Sequence, residues 1–223
     1  MTASTVLVTF VLSFVPQADP VDPSKETLLF DGKTLKGWKV TDFGGQGDVT
    51  VEDGGILLEI GGDMTGVTLE KPDKIPVTNY EISLKAKRVR GGDFFCGLTF
   101  PVEKSHCSLI VGGWGGGLVG LSCIDGRDAS NNETSSWQNF DNDTWYQIRL
   151  RVQPTRIQAW LDDKRIVNAD IKDRAISVRP DVNLARPLGL STWRTAGLIK
   201  DIKIRELTQK EQNEQAAEED KDS

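Results

Sequence analysis

The sequence predicts an all-β protein, a sandwich of two antiparallel sheets of the jelly-roll kind. Apolar segments of strand length follow one another at regular spacing, and turns rich in glycine, aspartate and asparagine separate them. The domain expected at residues 27–207 contains no segment with the period of an amphipathic helix. Strands without helical crossovers are typical of sandwiches. The 22 glycines form short clusters without a Gly-X-Y period, which favours tight turns.

The first half of the domain gives clear strand signals. TLLF and LKGWKV lie on either side of the turn DGKT, and Gly54-Gly55 joins two apolar runs as in a two-residue hairpin. In YEISLKAKRV, Ile82, Leu84 and Ala86 alternate with polar residues, which predicts a half-buried antiparallel strand. The predicted strands of this half are 27–30, 35–40, 49–53, 56–60, 80–89 and 94–100.

The second half continues the pattern. WYQIRLRV and RIQAWLDD again have period two, and Pro154 ends the first of them. Trp38, Trp145 and Trp160 lie in alternating strands, so we expect them in the core. The predicted strands of this half are 106–112, 118–124, 145–152, 156–163, 164–171, 188–194 and 198–207.

Composition excludes several classes of protein. The chain has 223 residues, of which 38% are apolar, enough for one filled core. Its 27 basic and 33 acidic residues give a net charge of −6, which argues against nucleic acid as a partner because phosphate binding needs a basic surface. The single histidine, His106, excludes zinc sites with several histidine ligands.

The two ends of the chain differ from the domain. The apolar run 5–15 is too short to span a bilayer but matches the core of a signal peptide. We therefore predict a signal peptide over 1–18, a linker over 19–26, and a secreted or periplasmic protein without a membrane span after cleavage. A buried N-terminal strand is the alternative, because no basic residue precedes the run. The tail 208–223 has two lysines and six acidic residues, which predicts a disordered acidic segment.

The three cysteines have no C-x-x-C spacing, which argues against structural zinc and thioredoxin chemistry. Cys107 and Cys123 lie on predicted strands that a glycine loop joins, so a disulfide between them is one expectation for an exported chain. Three buried thiols, with Cys96 as the third, are the alternative.

The best candidates for chemistry lie between His106 and Asp128. Period two places His106, Ser108 and Ile110 on one face of their strand, opposite an apolar face. His106 is the one side chain whose ordinary pKa lies near neutrality. The loop GGWGGG exposes Trp114, and an indole on such a loop suits a sugar ring; the alternative is a hairpin whose tryptophan packs on its neighbours.

Further candidates lie outside that segment or at its end. Asp93 and Asp125 are carboxylates that can act as general bases, and Arg194 can bind sugar hydroxyls if it faces a groove. No pair of carboxylates has the spacing of an ordinary glycosidase. The oxygen-rich loop 124–133 leaves a divalent cation, Ca²⁺ or Mn²⁺, open as a cofactor, although we assign no metal ligand.

The string LFDGKTLKGW resembles the opening of the bacterial 3-keto-disaccharide hydrolase domain family, LF-[ND]-G-K-x-L-x-G-W. Segments 51–60, 79–100, 144–166 and 198–207 resemble later strands of that family. The resemblance implies a concanavalin A-like jelly roll with a concave sugar-binding surface, acting outside the cytoplasm on glycosides oxidised at C3. The family stretch N-S-G-[IV]-x-x-R reads here as GGDFFCG, so its asparagine and arginine are missing.

The resemblance also implies a chemistry. A ketone at C3 acidifies the C2 proton, so a base (His106, Asp93 or Asp125) would remove it and expel the group at C1. Trp114, Arg194 and Ser108 would contact the carbohydrate. Three interpretations stay open: a glycoside hydrolase, a non-catalytic lectin-like module, and a surface interaction domain without sugar affinity. The missing asparagine and arginine favour the second.

Overall fold

The structure, a computed structural model, describes residues 26–213. Within this part the fold is all-β, as the sequence predicts, with fifteen strands in two antiparallel sheets. The strands are β1 (Thr27–Leu28), β2 (Trp38–Val40), β3 (Val49–Glu52), β4 (Gly55–Leu58), β5 (Met64–Leu69), β6 (Tyr80–Gly91), β7 (Cys96–Val102), β8 (Ser105–Gly112), β9 (Leu118–Ser122), β10 (Ser136–Trp137), β11 (Tyr146–Val152), β12 (Arg156–Leu161), β13 (Lys164–Asp170), β14 (Gly189–Trp193) and β15 (Thr195–Glu206).

The two sheets interleave distant parts of the chain. Sheet A has the strand order β13-β12-β11-β6-β15-β4-β3, with β1 also paired to β15. Sheet B has the order β10-β9-β8-β7-β14-β5-β2. In sheet A the two twelve-residue strands β6 and β15 lie side by side, while in sheet B the late strand β14 inserts between β7 and β5. Residues from both halves of the chain therefore meet on each face.

The main core lies between the sheets, where the period-two pattern of the strands puts apolar side chains. On β6, Ile82, Leu84 and Ala86 are buried in this core, which confirms the predicted alternation. On β8, Leu109 and Val111 face the same core. Because successive side chains of a strand point to opposite faces, Ser108 and Ile110 lie on the outer face of sheet B.

A second, smaller apolar cluster covers part of that outer face. A covering segment, residues 175–187, crosses it and contains a 3₁₀ helix, Pro180–Ala185. Thr68 Oγ1 donates to the Leu184 carbonyl at 3.1 Å, and Cys123 N–H donates to the Ser177 carbonyl at 2.6 Å. Val182 of the covering segment is one of six buried residues in this cluster: Met64, Phe94, Ile110, Leu118, Ala129 and Val182.

The structure corrects part of the strand prediction. Strands β5 and β10 were not predicted, and β5 is buried on both faces, so its sequence MTGVTL shows no alternation between apolar and polar residues. The cysteines are all free and buried, which agrees with the expectation of three buried thiols and not with a disulfide between Cys107 and Cys123.

Two of the three tryptophans assigned to the core lie elsewhere. Trp38 is buried and its Nε1 donates to the Leu29 carbonyl at 2.8 Å, as expected for a core residue. Trp145 and Trp160 are half-buried on the outer face of sheet A. The guanidinium of Arg149 lies 3.8 Å from the ring centre of Trp160, and Lys200 Nζ lies 4.1 Å from that of Trp145. Cations therefore cover these rings, and the core assignment was wrong for both.

The described residues 26–213 include the start of the predicted acidic tail but not the predicted signal peptide. The predicted signal peptide lies outside the described residues, so export stays a prediction. Residues 209–213 are helical, and Glu211 accepts hydrogen bonds from Arg205 at 2.7 and 2.9 Å and from Arg151 at 2.8 Å. The start of the expected tail is therefore fixed to sheet A, while 214–223 lie outside the described residues. Across residues 26–213, no helix has the length and apolar character to cross a bilayer.

Candidate functional site

A cavity of about 240 Å³ opens on the outer face of sheet B, between its strands and the covering segment. Its floor includes Ser108 of β8 and Ser122 of β9, both buried. Aromatic, apolar and charged side chains surround this floor. The lining residues are Met64, Asp93, Phe94, Ser108, Ile110, Trp114, Ser122, Arg179, Asp181, Val182 and Trp193.

Three aromatic side chains form the wall of the cavity. Phe94 and Trp193 pack with ring centroids 6.5 Å apart and planes inclined by 38°. Trp114 completes the wall and remains 38% exposed. Indole faces carry partial negative charge, which suits the C–H groups on the apolar face of a pyranose. The cavity thus offers the combination of apolar walls and a few polar groups that is typical of small-ligand sites.

Trp114 sits at the tip of a tight turn, Gly113–Gly116, between β8 and β9. Its φ of 48° is left-handed, as are the φ angles of Gly112, Gly115 and Gly116. A bulky residue rarely adopts this conformation, and such positions cluster at functional sites. The surrounding glycines allow the sharp path that presents the indole to the cavity.

Two charged side chains hold this turn. Asp93 Oδ2 accepts the N–H of Gly115 at 3.3 Å, and Arg88 Nη1 donates to the Gly116 carbonyl at 3.2 Å. Arg88 is buried, and it also donates from Nε to Asn142 Oδ1 at 2.8 Å and from Nη2 to the Phe140 carbonyl. The indole of Trp114 is therefore carried by a backbone that is fixed on both sides.

Asp93 directly precedes Phe94, one of the three aromatic residues that form the wall. Its Oδ1 accepts the N–H of Phe94 at 2.7 Å, and its own N–H donates to Thr195 Oγ1 at 2.9 Å. Asp93 therefore helps to hold the turn. Because it also lines the cavity, it is placed to touch a ligand.

An ion pair lies at the covering side of the cavity. Arg179 donates from Nε and Nη2 to Asp181 Oδ2, both at 3.1 Å, and from Nη1 to Asp128 Oδ2 at 2.9 Å. Arg179 and Asp181 are both partly exposed, so their polar groups remain open to a ligand. These contacts also fix the covering segment to the loop that contains Asp128.

The structure separates the predicted site residues into two groups. Asp93, Ser108 and Trp114 line the cavity. His106, Asp125 and Arg194 are not among its lining residues, although His106 shares a strand with Ser108. The three predicted bases therefore do not converge on one point.

Each residue of the second group has other partners. Burial lowers the pKa of His106, and the charge of Arg186 lowers it further. The pKa of Asp125 is lowered first by the hydrogen bond from Ala175 N–H and then by Arg174. Arg194 has a left-handed φ of 44° and donates to Asp63 Oδ1 at 2.9 and 2.5 Å.

The oxygen-rich loop has its carboxylates occupied by arginines. Arg174 pairs with Asp125 at 2.5 Å and with Glu133 at 2.8 Å, and Arg179 pairs with Asp128. In the part of the chain that the structure describes, no group of three His, Cys, Asp or Glu side chains is arranged to hold a metal ion. A cation would have to displace these guanidinium groups, so we assign none to this loop.

Sequence reasoning named three of the eleven lining residues as site residues and missed the other eight, among them Phe94, Ser122, Arg179, Asp181 and Trp193. For Trp193 a signal existed. Leu190 of β14 is in the main core, so period two puts Trp193 on the opposite face and leaves Arg194 beyond the end of the strand. Arg179 and Asp181 lie in the covering segment, which has no periodic pattern that could have placed it.

Comparison with known proteins identifies the family to which the chain belongs. The pattern of the 3-keto-alpha-glucoside-1,2-lyase-like domain matches residues 25–205. The chain belongs to this family. The match covers the whole sandwich and confirms the resemblance of the opening motif. The comparison with curated proteins gave no match.

Solved structures similar to this lyase-like domain show the same fold. A provisionally assigned glycosyl hydrolase from Parabacteroides distasonis has 17% identity and a TM-score of 0.54, over 86% of this chain and 99% of its own. The carbohydrate binding module CBM66 from Bacillus subtilis has 13% identity and a TM-score of 0.53, over 76% and 95%. The Crh5 transglycosylase in complex with NAG has 11% identity and a TM-score of 0.57, over 82% and 84%. These likenesses show that the domain has the jelly-roll fold.

Proposed function

We propose that the cavity binds the oxidised ring of a 3-keto-glucoside and that Asp93 removes its C2 proton. The observation that carries this proposal is the position of the Asp93 carboxylate in one cavity with the indoles of Trp114 and Trp193. Family membership supports the substrate class, since the family is described by its likeness to a 3-keto-α-glucoside lyase.

The lining suits a single sugar ring. The indoles offer stacking faces for its apolar side. Ser108 and Ser122 offer hydroxyl groups, and Arg179 and Asp181 offer charged groups, for its hydroxyls. A few polar groups in an otherwise apolar cavity fix the orientation of a ligand.

The proposed reaction is an elimination followed by hydration. The C3 ketone acidifies the hydrogen at C2, and the Asp93 carboxylate takes this proton. The electron pair of the C2–H bond forms a C1=C2 double bond as the C1–O bond breaks. The leaving oxygen keeps that bond's electrons and takes a proton from water. The hydroxide left from that water then adds to C1 while Asp93 returns its proton to C2, which gives the free 3-keto sugar and restores the carboxylate.

A specific observation also favours the second candidate, a lectin-like module that binds without turnover. Both oxygens of Asp93 accept backbone hydrogen bonds, from Phe94 and from Gly115. A carboxylate with a structural role of this kind can remain where the chemistry has been lost. The missing asparagine and arginine of the family stretch agree with that interpretation.

The test is turnover of p-nitrophenyl 3-keto-α-glucoside, with p-nitrophenyl α-glucoside as the unoxidised control. We expect nitrophenolate release from the first sugar alone, above its spontaneous rate. Asp93→Asn should lower the rate by at least about 100-fold, the usual contribution of a general base. Asp201→Asn is the matched control, since Asp201 lies on sheet A and pairs with Lys85 at 3.1 Å.

The outcomes separate the candidates. Saturable quenching of tryptophan fluorescence without turnover would establish the binding module in place of the lyase. Absence of both turnover and quenching would overturn the proposed function altogether.

A further inference from the structure

Trp137 is the most exposed large apolar side chain in the part of the chain that the structure describes, with 64% of its surface open to solvent. It lies on the two-residue strand β10, at the edge of sheet B beside β9. A single exposed apolar residue is common on protein surfaces. Whether exposed Trp137 points to a binding site therefore depends on which face of sheet B it occupies and on which residues hold its ring.

The strand register puts Trp137 on the face that carries the cavity. Trp137 is directly opposite Leu118 of β9, and opposed residues of an antiparallel pair point to the same side of a sheet. Leu118 belongs to the apolar cluster on the outer face of sheet B, together with Phe94 and Ile110. Both of these residues line the cavity. The edge indole thus extends the cavity's own face.

A glycine joins this indole to the turn that presents Trp114. A Cβ atom on Gly117 would lie only 2.9 Å from Trp137 Cε3, so the ring packs directly against the glycine backbone. Gln138 N–H donates to the Gly117 carbonyl at 2.9 Å, and Gly117 ends the Trp114 turn. Trp114 and Trp137 are therefore carried by one connected piece of backbone.

The size of the cavity leaves a second sugar ring outside it. Pockets that enclose a drug-sized ligand span roughly 300–1,000 Å³, and this cavity has a volume of about 240 Å³. One ring fits, and the other ring of a disaccharide must lie on the adjoining surface. A rigid indole costs little entropy when it binds, so it is well suited to hold that ring.

We propose that Trp137 is a second stacking platform, which binds the leaving-group sugar of a disaccharide whose oxidised ring occupies the cavity. This inference rests on the proposed function and adds a substrate preference to it. A disaccharide would be favoured over a glucoside with a small leaving group, because the Trp137 face adds contacts that only the second ring makes.

The experiment compares two probes that share one ring: methyl 3-keto-α-glucoside and 3-keto-trehalose, in which a second glucose replaces the methyl group. The preference for the disaccharide is measured as a ratio of kcat/KM values if the protein turns the sugars over, and as a ratio of Kd values if it only binds them. Wild type, Trp137→Ala, Trp137→Phe and Leu28→Ala are compared. Leu28 is a matched control, 58% exposed on sheet A.

We expect Trp137→Ala to reduce the disaccharide preference about tenfold, near the low end of the range known for nucleic-acid bases stacked on aromatic side chains. Its constants for the methyl glucoside should stay unchanged, Trp137→Phe should keep part of the preference, and Leu28→Ala should keep all of it. An equal preference in wild type and Trp137→Ala would overturn the second platform alone. Failure of wild type to bind either sugar would overturn the proposed function, and with it this inference.

Discussion

Arg88 and Gly116 are joined by a hydrogen bond of 3.2 Å from the guanidinium Nη1 to the backbone carbonyl. Arg88 comes from β6, the central strand of sheet A, whereas Gly116 lies in the turn that carries Trp114 on sheet B. A buried cation thus links the interior of the sandwich to the aromatic wall of the cavity. Its other oxygen partners, on Asn142 and Phe140, complete a set of three hydrogen bonds.

Replacing Arg88 with methionine should destabilise the fold. The change leaves the carbonyls of Gly116 and Phe140 without their donor, and each buried unpaired group costs about 1–3 kcal/mol. We expect the free energy of unfolding to fall by about 2–4 kcal/mol in urea denaturation. Arg90→Met, two residues along the strand, is the control, because Arg90 forms an exposed pair with Glu59. A similar loss in both variants would contradict a special role for Arg88.

Glu211 should make stability depend on acid pH. Burial by itself would raise its pKa, but the hydrogen bonds from Arg205 and Thr208 and the charges of Arg151 and Arg205 lower it to about 2. A depressed carboxyl pKa stabilises the folded state above the unfolded value of 4.5, and this contribution disappears as the pH falls from about 4.5 to about 2.

The matched variants are Glu211→Gln and Glu52→Gln, the latter on the exposed strand β3. At pH 7, Glu211→Gln should be less stable than wild type by about 1 kcal/mol, after allowance for solvent screening. Urea denaturation at pH 7, 4 and 2.5 should show this difference shrinking. A difference that stays constant with pH would refute the assigned ion pairs.

His106 should be neutral at pH 7. Burial and the charge of Arg186 lower its pKa below the ordinary 6.5. Because it is the single histidine of the chain, its ring C2–H signal in a proton NMR titration is unambiguous. Arg186→Gln should move the midpoint upward, whereas Arg179→Gln should leave it in place. A wild-type midpoint above 6.5 would contradict the partial burial of this ring and its closeness to Arg186.

The three thiols should resist modification in the native protein. Burial raises the pKa of Cys96 and of Cys107 to about 12, and Cys123 is buried as well. Only the thiolate reacts readily. Ellman's reagent should therefore label none of them at pH 8 until a denaturant is added, and then all three. Rapid labelling of the folded protein, or fewer than three thiols after unfolding, would refute the free and buried state.

Strands β6, β11 and β13 of sheet A were predictable because one face of each meets the core and the other is more exposed. In β6 the residues Ile82, Leu84 and Ala86 showed this alternation directly. The alternation was lost in β5, where the covering segment buries the outer face too. The period-two pattern of β12 puts Trp160 on the same face as Gln158 and opposite the core residue Ile157. The assignment of Trp160 to the core disregarded this pattern.

The site was harder to predict, because its residues meet only through the topology. Asp93, Ser108 and Trp114 lie within 22 residues of one another, and their sequence context marked them. Trp193 joins them because β14 inserts beside β7 in sheet B, a pairing that no local pattern encodes. His106 was chosen as a candidate base because its ordinary pKa lies near neutrality. That pKa carries no information on how far the side chain lies from the cavity.

The central claim is that the reacting ring lies in the cavity and gives its C2 proton to Asp93. The most direct test is the rate of p-nitrophenyl 3-keto-α-glucoside turnover by Asp93→Asn and by His106→Gln, measured side by side with wild type. We predict a loss of at least about 100-fold in the first variant and a rate close to that of wild type in the second. Retained turnover in Asp93→Asn, together with its loss in His106→Gln, would move the chemistry out of the cavity and contradict the claim.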